Sequence, residues 1–138
     1  MKARIVWVEN SKFLGETGSG HAVLMDGSPE MGGENLGPRP MEMLLVGMGG
    51  CTAIDVIHIL KKGRHEVTDC ELRLEAERAE TDPKVFTKIH IQYVVKGKGL
   101  PEAAVKRAID LSAEKYCSAS IMLGKSAAIT HGYEIVEA

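Results

Sequence analysis

The longest apolar stretch of the chain lies between Pro40 and Leu60, and only Glu42, Thr52, Asp55 and His58 interrupt it. A surface helix carries a polar face at a period of 3.6 residues, and this stretch has too few polar residues to form one. Pro40 favours a helix start, and Lys61-Lys62-Gly63 favours an end with Gly63 as a left-handed cap. We therefore expect a long helix that is buried on most sides. Its length approaches that of a transmembrane helix, which needs about 20 apolar residues, but its interior glycines and acidic residues favour a soluble core.

Alternating polar and apolar residues predict strands on both sides of this helix. Three strands are expected before it, over residues 2–8, 12–16 and 21–25. Two are expected after it, over 67–79 and 85–96, with a hairpin turn at 81–84 between them. In the second of these, the residues expected to face the core are Val85, Ile89, Ile91, Tyr93 and Val95.

The remaining sequence predicts a surface helix over 101–116, a short helix over 119–125 capped by Ser118, and a last strand over 128–136. The order β-β-β-α-β-β-α-α-β indicates the α+β class. We expect one domain over residues 1–138, because a chain of this length is large enough for one core.

Composition and charge narrow the class of partner. The hydrophobic content is 44% and the charged content 26%, both ordinary for a soluble globular protein. A net charge of −2 gives no electrostatic reason to expect nucleic acid or an anionic membrane. The N-terminal residues begin a strand pattern and not a signal peptide, so we expect a cytoplasmic protein. A chain of this length has too little sheet to bury the long apolar helix on all sides. We therefore expect a homodimer, in which the partner subunit buries the rest.

The three cysteines, at positions 51, 70 and 117, are the candidates for chemistry. An odd number with no C-x-x-C spacing argues against a disulfide framework and against a zinc site. Cys70 lies on the apolar face of a strand, where it is expected to be a small buried hydrophobe. Cys51 is either another core cysteine or a reactive thiol. Cys117 lies at a helix start near Lys115, and both features favour a thiolate.

Two thiols can act together when one is oxidised to a sulfenic acid and the other converts it to a disulfide. Spacing alone does not show whether Cys51 and Cys117 meet.

Two motifs resemble the OsmC/Ohr family of osmotically inducible and organic-hydroperoxide-resistance proteins. The first runs from Pro40-Met41-Glu42-Met43-Leu44-Leu45 to Gly49-Gly50-Cys51, and the second is Ala113-Glu114-Lys115-Tyr116-Cys117-Ser118. The residues in and around these motifs are similar to those of the YhfA-like branch of the family. The resemblance covers the whole chain and implies an OsmC-like α+β fold, in which an intertwined homodimer wraps its long central helices in antiparallel sheet.

The resemblance also implies thiol-dependent reduction of hydroperoxides, especially organic ones, in oxidative-stress defence. Cys51 would be the peroxidatic cysteine and Cys117 the resolving one. An external dithiol would reduce them, with no bound cofactor and no metal. Active members support the thiolate with an arginine held by a glutamate. Here the candidates for that support are Glu42, Arg39 and His21, although a histidine at a strand end is also common as a plain surface residue.

Two other functions stay open on the sequence. The chain can be a binding protein that holds a small apolar ligand, with cysteines that take no part in function. It can also be a redox sensor, which needs exposed cysteines.

Overall fold

The computed structural model describes all 138 residues. Its strands and helices, in chain order, are β1 (Ala3–Glu9), β2 (Lys12–Thr17), β3 (Ala22–Met25), α1 (Pro40–Lys62), β4 (Glu66–Arg78), β5 (Phe86–Lys98), α2 (Glu102–Leu111), α3 (Ser118–Leu123) and β6 (Ala128–Glu137). A 3₁₀ turn covers Pro29–Met31, and a π-helical turn, Ser112–Tyr116, follows α2. The predicted order of elements is confirmed, and so is the α+β class. The chain divides into two compact units, Met1–Val46 and Gly47–Ala138.

The N-terminal unit is built on an antiparallel sheet of β1, β2 and β3. Its connection to α1 is held by the Asp26 carboxylate, which accepts the backbone N–H groups of Gly27, Glu34 and Leu36. On β1 the side chain of Trp7 is 65% exposed. Large apolar side chains on one strand therefore lie without cover in the single chain.

The C-terminal unit contains the second sheet, in the order β4-β5-β6. β4 and β5 form an antiparallel hairpin, whereas β6 pairs with β5 in parallel. The expected antiparallel pairing is found between β4 and β5, and the parallel pairing of β6 was not predicted. α2 and α3 form a crossover that returns the chain to the end of the sheet where β5 began, and a strand added after such a crossover runs parallel.

The start of β5 differs from the predicted alternation. Phe86 is buried and Val85 is 42% exposed, the reverse of the expectation for Val85. The β4–β5 register shifts between Glu77 and Arg78, and a bulge of this kind changes which residues face the core. Further along, the predicted inward residues Ile89, Ile91, Tyr93 and Val95 are all buried.

α1 buries one stripe and exposes the opposite side. The buried residues are Met48, Gly49, Thr52, Val56 and Leu60. Ile54 is 71% exposed, and space is open around the positions that Cβ atoms would occupy at Gly47 and Gly50. Burial on most sides is therefore wrong for the single chain. By length and composition α1 also meets the criteria for a membrane-crossing helix, but the core helix of a soluble protein meets them as well.

The start of α1 agrees with the prediction, whereas its C-terminal cap does not. Pro40 is the first helical residue, as predicted. At the other end Arg64, not Gly63, adopts the left-handed conformation, with φ of 62°. The His65 N–H donates to the Leu60 carbonyl at 3.0 Å and closes the helix.

Candidate functional site

Cys51 and Cys117 lie next to each other, although the sequence separates them widely. Cys51 is half-buried on α1, and Cys117 is fully buried between the π-helical turn and α3. Cys51 lies near enough to the Cys117 thiol to raise the pKa of that thiol, and both cysteines are free. The structure thus brings together the two sulfurs that a peroxidatic and resolving pair would use.

Cys117 is the N-cap of α3, the role that the sequence suggested for Ser118. Its Sγ accepts the backbone N–H of Ser120 at 3.3 Å, and Ser118 is the first helical residue. Burial raises the pKa of the Cys117 thiol, the Ser120 hydrogen bonds lower it, and the neighbouring Cys51 raises it. The net direction is upward. The expectation that the helix start favours a thiolate here is wrong, because desolvation outweighs it.

A buried chain of hydroxyl groups runs beside the two thiols. Thr52, the residue after Cys51, places its Oγ1 2.7 Å from the Tyr93 hydroxyl and 2.7 Å from the Ser112 Oγ. Ser112 in turn donates to the Asp55 carboxylate at 2.9 Å. The structure leaves no polar side-chain atom buried without a partner, so this network is fully satisfied.

Asp55 belongs both to this network and to the wall of a cavity of about 590 Å³ in the C-terminal unit. The residues that line it are Asp55, His58, Ile59, Lys62, Gly63, Arg107, Leu111 and Tyr116. Apolar side chains and basic groups share its wall. A cavity of this size, with a few polar groups, is typical of small-molecule sites.

Cys70 differs from its predicted environment. It lies on the inward face of β4, as expected, but is half-buried and not fully enclosed. Burial raises the pKa of its thiol, and the neighbouring Asp69 adds to that rise. These surroundings favour the inert, protonated form of the thiol.

The three predicted thiolate-supporting residues lie in the N-terminal unit and have partners there. Glu42 accepts the Arg39 backbone N–H at 2.8 Å and so caps α1. The Arg39 guanidinium donates to Asn35 Oδ1 at 3.1 Å and to the Gly37 carbonyl at 3.2 Å. His21 is exposed, with Nδ1 3.2 Å from the Ser19 hydroxyl. Within residues 47–138, no hydrogen bond or ion pair joins a basic side chain to Cys51.

The hydroxyl network could not be predicted from the sequence pattern. Thr52 and Asp55 interrupt an apolar helix, and polar residues in such a helix need buried partners. Their partners, Tyr93 and Ser112, come from β5 and the π-helical turn, so pairing them required the tertiary structure.

With this geometry in place, comparison with known proteins identifies the family. The family model described as OsmC-like protein matches residues 32–132. The chain belongs to the OsmC-like family. Protein YhfA of Escherichia coli (strain K12) is 54% identical over 138 residues, which cover all of both chains.

Solved structures agree on the OsmC-like fold. A hypothetical protein from Aquifex aeolicus VF5 is 34% identical with a TM-score of 0.88, over 99% of this chain and 96% of that one. The organic hydroperoxide resistance protein OhrB of Bacillus subtilis is 16% identical with a TM-score of 0.63, over 97% of this chain and 98% of that one. At that identity the likeness to OhrB concerns the fold alone.

Proposed function

We propose that this OsmC-like protein is a cytoplasmic thiol-dependent peroxidase that reduces organic hydroperoxides in oxidative-stress defence. The observation that carries the proposal is that the half-buried Cys51 and the fully buried Cys117 are neighbours, close enough for Cys51 to raise the pKa of the Cys117 thiol. The name of the structural neighbour OhrB, an organic hydroperoxide resistance protein, points to the same chemistry.

In the proposed reaction the Cys51 thiolate attacks the terminal oxygen of the hydroperoxide and the O–O bond breaks. Cys51 becomes a sulfenic acid, and the leaving alkoxide takes a proton to become the alcohol. Cys117 then attacks the Cys51 sulfur, so that an S–S bond forms and water leaves with the Cys117 proton. An external dithiol reduces this disulfide and is itself oxidised, which completes the cycle without a bound cofactor.

The apolar surroundings of the thiols support an organic substrate over hydrogen peroxide. Cys51 shares a face of α1 with Ile54, whose apolar side chain is 71% exposed. An apolar substituent on the hydroperoxide gains from contact with such a surface, and hydrogen peroxide has none to offer.

A homodimer is part of the proposal. The exposed side of α1 has Gly47 and Gly50 with open space around them, beside Ile54. Small residues let two helices approach closely, and an exposed apolar side chain gains from the cover. Three residues stay the candidates for supporting the thiolate: Glu42, Arg39 and His21. If the two α1 helices of the dimer cross, these residues of one subunit would support the Cys51 thiolate of the other.

Steady-state turnover tests the proposed function. Purified protein is supplied with dithiothreitol and either cumene hydroperoxide or hydrogen peroxide. We expect turnover that favours cumene hydroperoxide, and we expect Cys51→Ser to lose roughly a hundredfold or more of it. Cys70→Ser is the matched control and should retain wild-type turnover. Equal activity in wild type and Cys51→Ser would overturn the proposal.

The second candidate is a protein that binds a small ligand without catalysis. The cavity of about 590 Å³ beside α1 favours it, together with the lack of a basic partner for Cys51 in residues 47–138. A ligand that co-purifies with the protein, in a chain with no turnover, would support this function. A redox sensor needs exposed cysteines, whereas Cys117 is fully buried and Cys51 and Cys70 are half-buried.

A further inference from the structure

Ser112 contacts both of the segments that carry the proposed redox pair. Its Oγ lies 2.7 Å from the Thr52 Oγ1, and Thr52 directly follows Cys51 on α1. Its backbone carbonyl accepts the Cys117 N–H at 2.8 Å. One buried residue therefore joins the helix of one thiol to the backbone of the other.

The carbonyl contact is an i→i−5 hydrogen bond, and it belongs to the π-helical turn Ser112–Tyr116. Such turns are rare and interrupt the register of an ordinary helix. Here the turn ends the helical run at Tyr116, leaves Cys117 extended with ψ of 97°, and allows its Sγ to cap α3. The position of the Cys117 sulfur thus depends on the geometry of this turn.

The hydroxyl contact has a fixed donor order. Asp55 is a carboxylate and can only accept, so the Ser112 hydroxyl donates to it at 2.9 Å. The Ser112 oxygen then accepts from Thr52, and the Thr52 oxygen accepts from Tyr93. Every hydroxyl proton is used once. A chain anchored in this way at a carboxylate holds each member in one orientation.

We propose that Thr52 and Ser112 are positioning residues that hold Cys51 and Cys117 at disulfide-forming distance. Neither side chain forms a hydrogen bond to either sulfur. Their contribution is to the effective concentration of one thiol at the other, because a disulfide needs Cα atoms within about 7 Å and a defined approach of the sulfurs. The proposal rests on the proposed function for its role in turnover, but not for its test.

The test is the equilibrium of the Cys51–Cys117 disulfide with glutathione, measured without any peroxide. In that exchange the reduced protein and oxidised glutathione give the protein disulfide and two molecules of reduced glutathione. The equilibrium constant reports the effective concentration of the pair. Cys70→Ser is the background, so that only the two thiols of interest react.

Three variants separate positioning from ordinary stability. Thr52→Val keeps the shape and removes the hydroxyl, and we expect it to lower the equilibrium constant roughly tenfold. Thr52→Ser keeps the hydroxyl and should stay within about threefold of the background protein. Tyr93→Phe removes the outer hydroxyl but keeps the Thr52–Ser112 bond, and it should also stay within that range. Should Thr52→Val fail to fold, Ser112→Ala carries the same expectation.

A purely structural role gives a different pattern. Thr52→Val would then lower the unfolding free energy by similar amounts in the reduced and oxidised proteins and leave the glutathione equilibrium unchanged. That result would overturn the proposal. Failure of the proposed function is a separate outcome, since a protein without peroxide turnover still has a measurable disulfide equilibrium.

Discussion

Cys117 shows how burial and a helix start compete at one side chain. The Ser120 backbone N–H and side-chain hydroxyl favour the thiolate, yet the sulfur is fully buried, and the pKa of the thiol is raised. In the proposed mechanism the resolving thiol reacts only after Cys51 has been oxidised, and a protonated Cys117 is consistent with that order. The sequence showed the helix start but not the depth of burial, so the direction of this pKa shift was not predictable from it.

Stability at high pH tests the Cys117 environment. Below ~8.5, the usual cysteine pKa, the thiol is protonated in both the folded and the unfolded chain. As the pH rises further, the unfolded chain loses the proton first, and the free energy of unfolding falls until the folded pKa is passed. We expect a shallower fall between pH 8 and 10 in Cys117→Ala than in wild type, by denaturant unfolding under reducing conditions. Parallel curves would contradict the burial of this thiol.

Resolution of the sulfenic acid gives a second test at this residue. In Cys117→Ser the proposed Cys51 sulfenic acid has no partner, and we expect it to persist and to be trapped by dimedone after one equivalent of cumene hydroperoxide. Wild type, treated in the same way, should give little adduct because the disulfide forms first. Cys70→Ser serves as the control and should behave as wild type does. Equal trapping in Cys117→Ser and wild type would exclude Cys117 as the resolving thiol.

Helix α1 is the element on which the sheet and the site both depend. Gly49 faces β4, and a Cβ built there would lie 3.0 Å from the Leu74 Cδ1. The small residue therefore sets how closely the helix approaches the strand, a contact tighter than most Cβ atoms make. The motif Gly49-Gly50-Cys51 thus has one glycine turned toward the sheet and one turned away from it.

Enlarging Gly49 tests this packing. We expect Gly49→Val to lower the free energy of unfolding by about 1–3 kcal/mol, because it overfills the contact between α1 and β4. The control is Ala103→Val on the exposed side of α2, where the same branched side chain meets no packed surface and should cost less than about 1 kcal/mol. Denaturant unfolding measures both. A Gly49→Val variant as stable as wild type would mean that this approach of helix and strand is not close.

Across the elements, local patterns predicted most of the fold. The alternating residues predicted β4, and Pro40 predicted the start of α1; both are observed. Features that depend on contacts between elements were not predictable in the same way. Because of the bulge near Glu77, Phe86 faces the core in place of Val85. The parallel pairing of β6 follows from the crossover formed by α2 and α3.

The candidate site shows the same division. The motifs identified Cys51 and Cys117 by resemblance, and the structure places the two residues as neighbours. No pattern along the chain pairs Thr52 with Ser112, because that hydrogen bond joins two elements far apart in sequence. Glu42 illustrates the opposite case, since its capping bond to Arg39 is local and the residue types alone suggest it.

At the scale of the whole molecule, the proposed dimer explains why α1 is apolar on both sides. We expect Gly50→Leu to weaken or abolish the dimer, because a large side chain keeps two helices apart where glycine lets them meet. Ala103→Leu, an equal enlargement at an exposed position of α2, should leave the mass unchanged. Light scattering after size-exclusion chromatography measures both. A monomeric wild type would contradict the dimer outright.

The loss of free thiols after one equivalent of cumene hydroperoxide tests the central claim most directly. Wild type, Cys51→Ser and Cys70→Ser are compared with an unfolded control. The proposed mechanism predicts rapid loss of two thiols per chain in wild type and in Cys70→Ser, and no rapid loss in Cys51→Ser. Loss in wild type no faster than in the unfolded control would contradict the peroxidase mechanism.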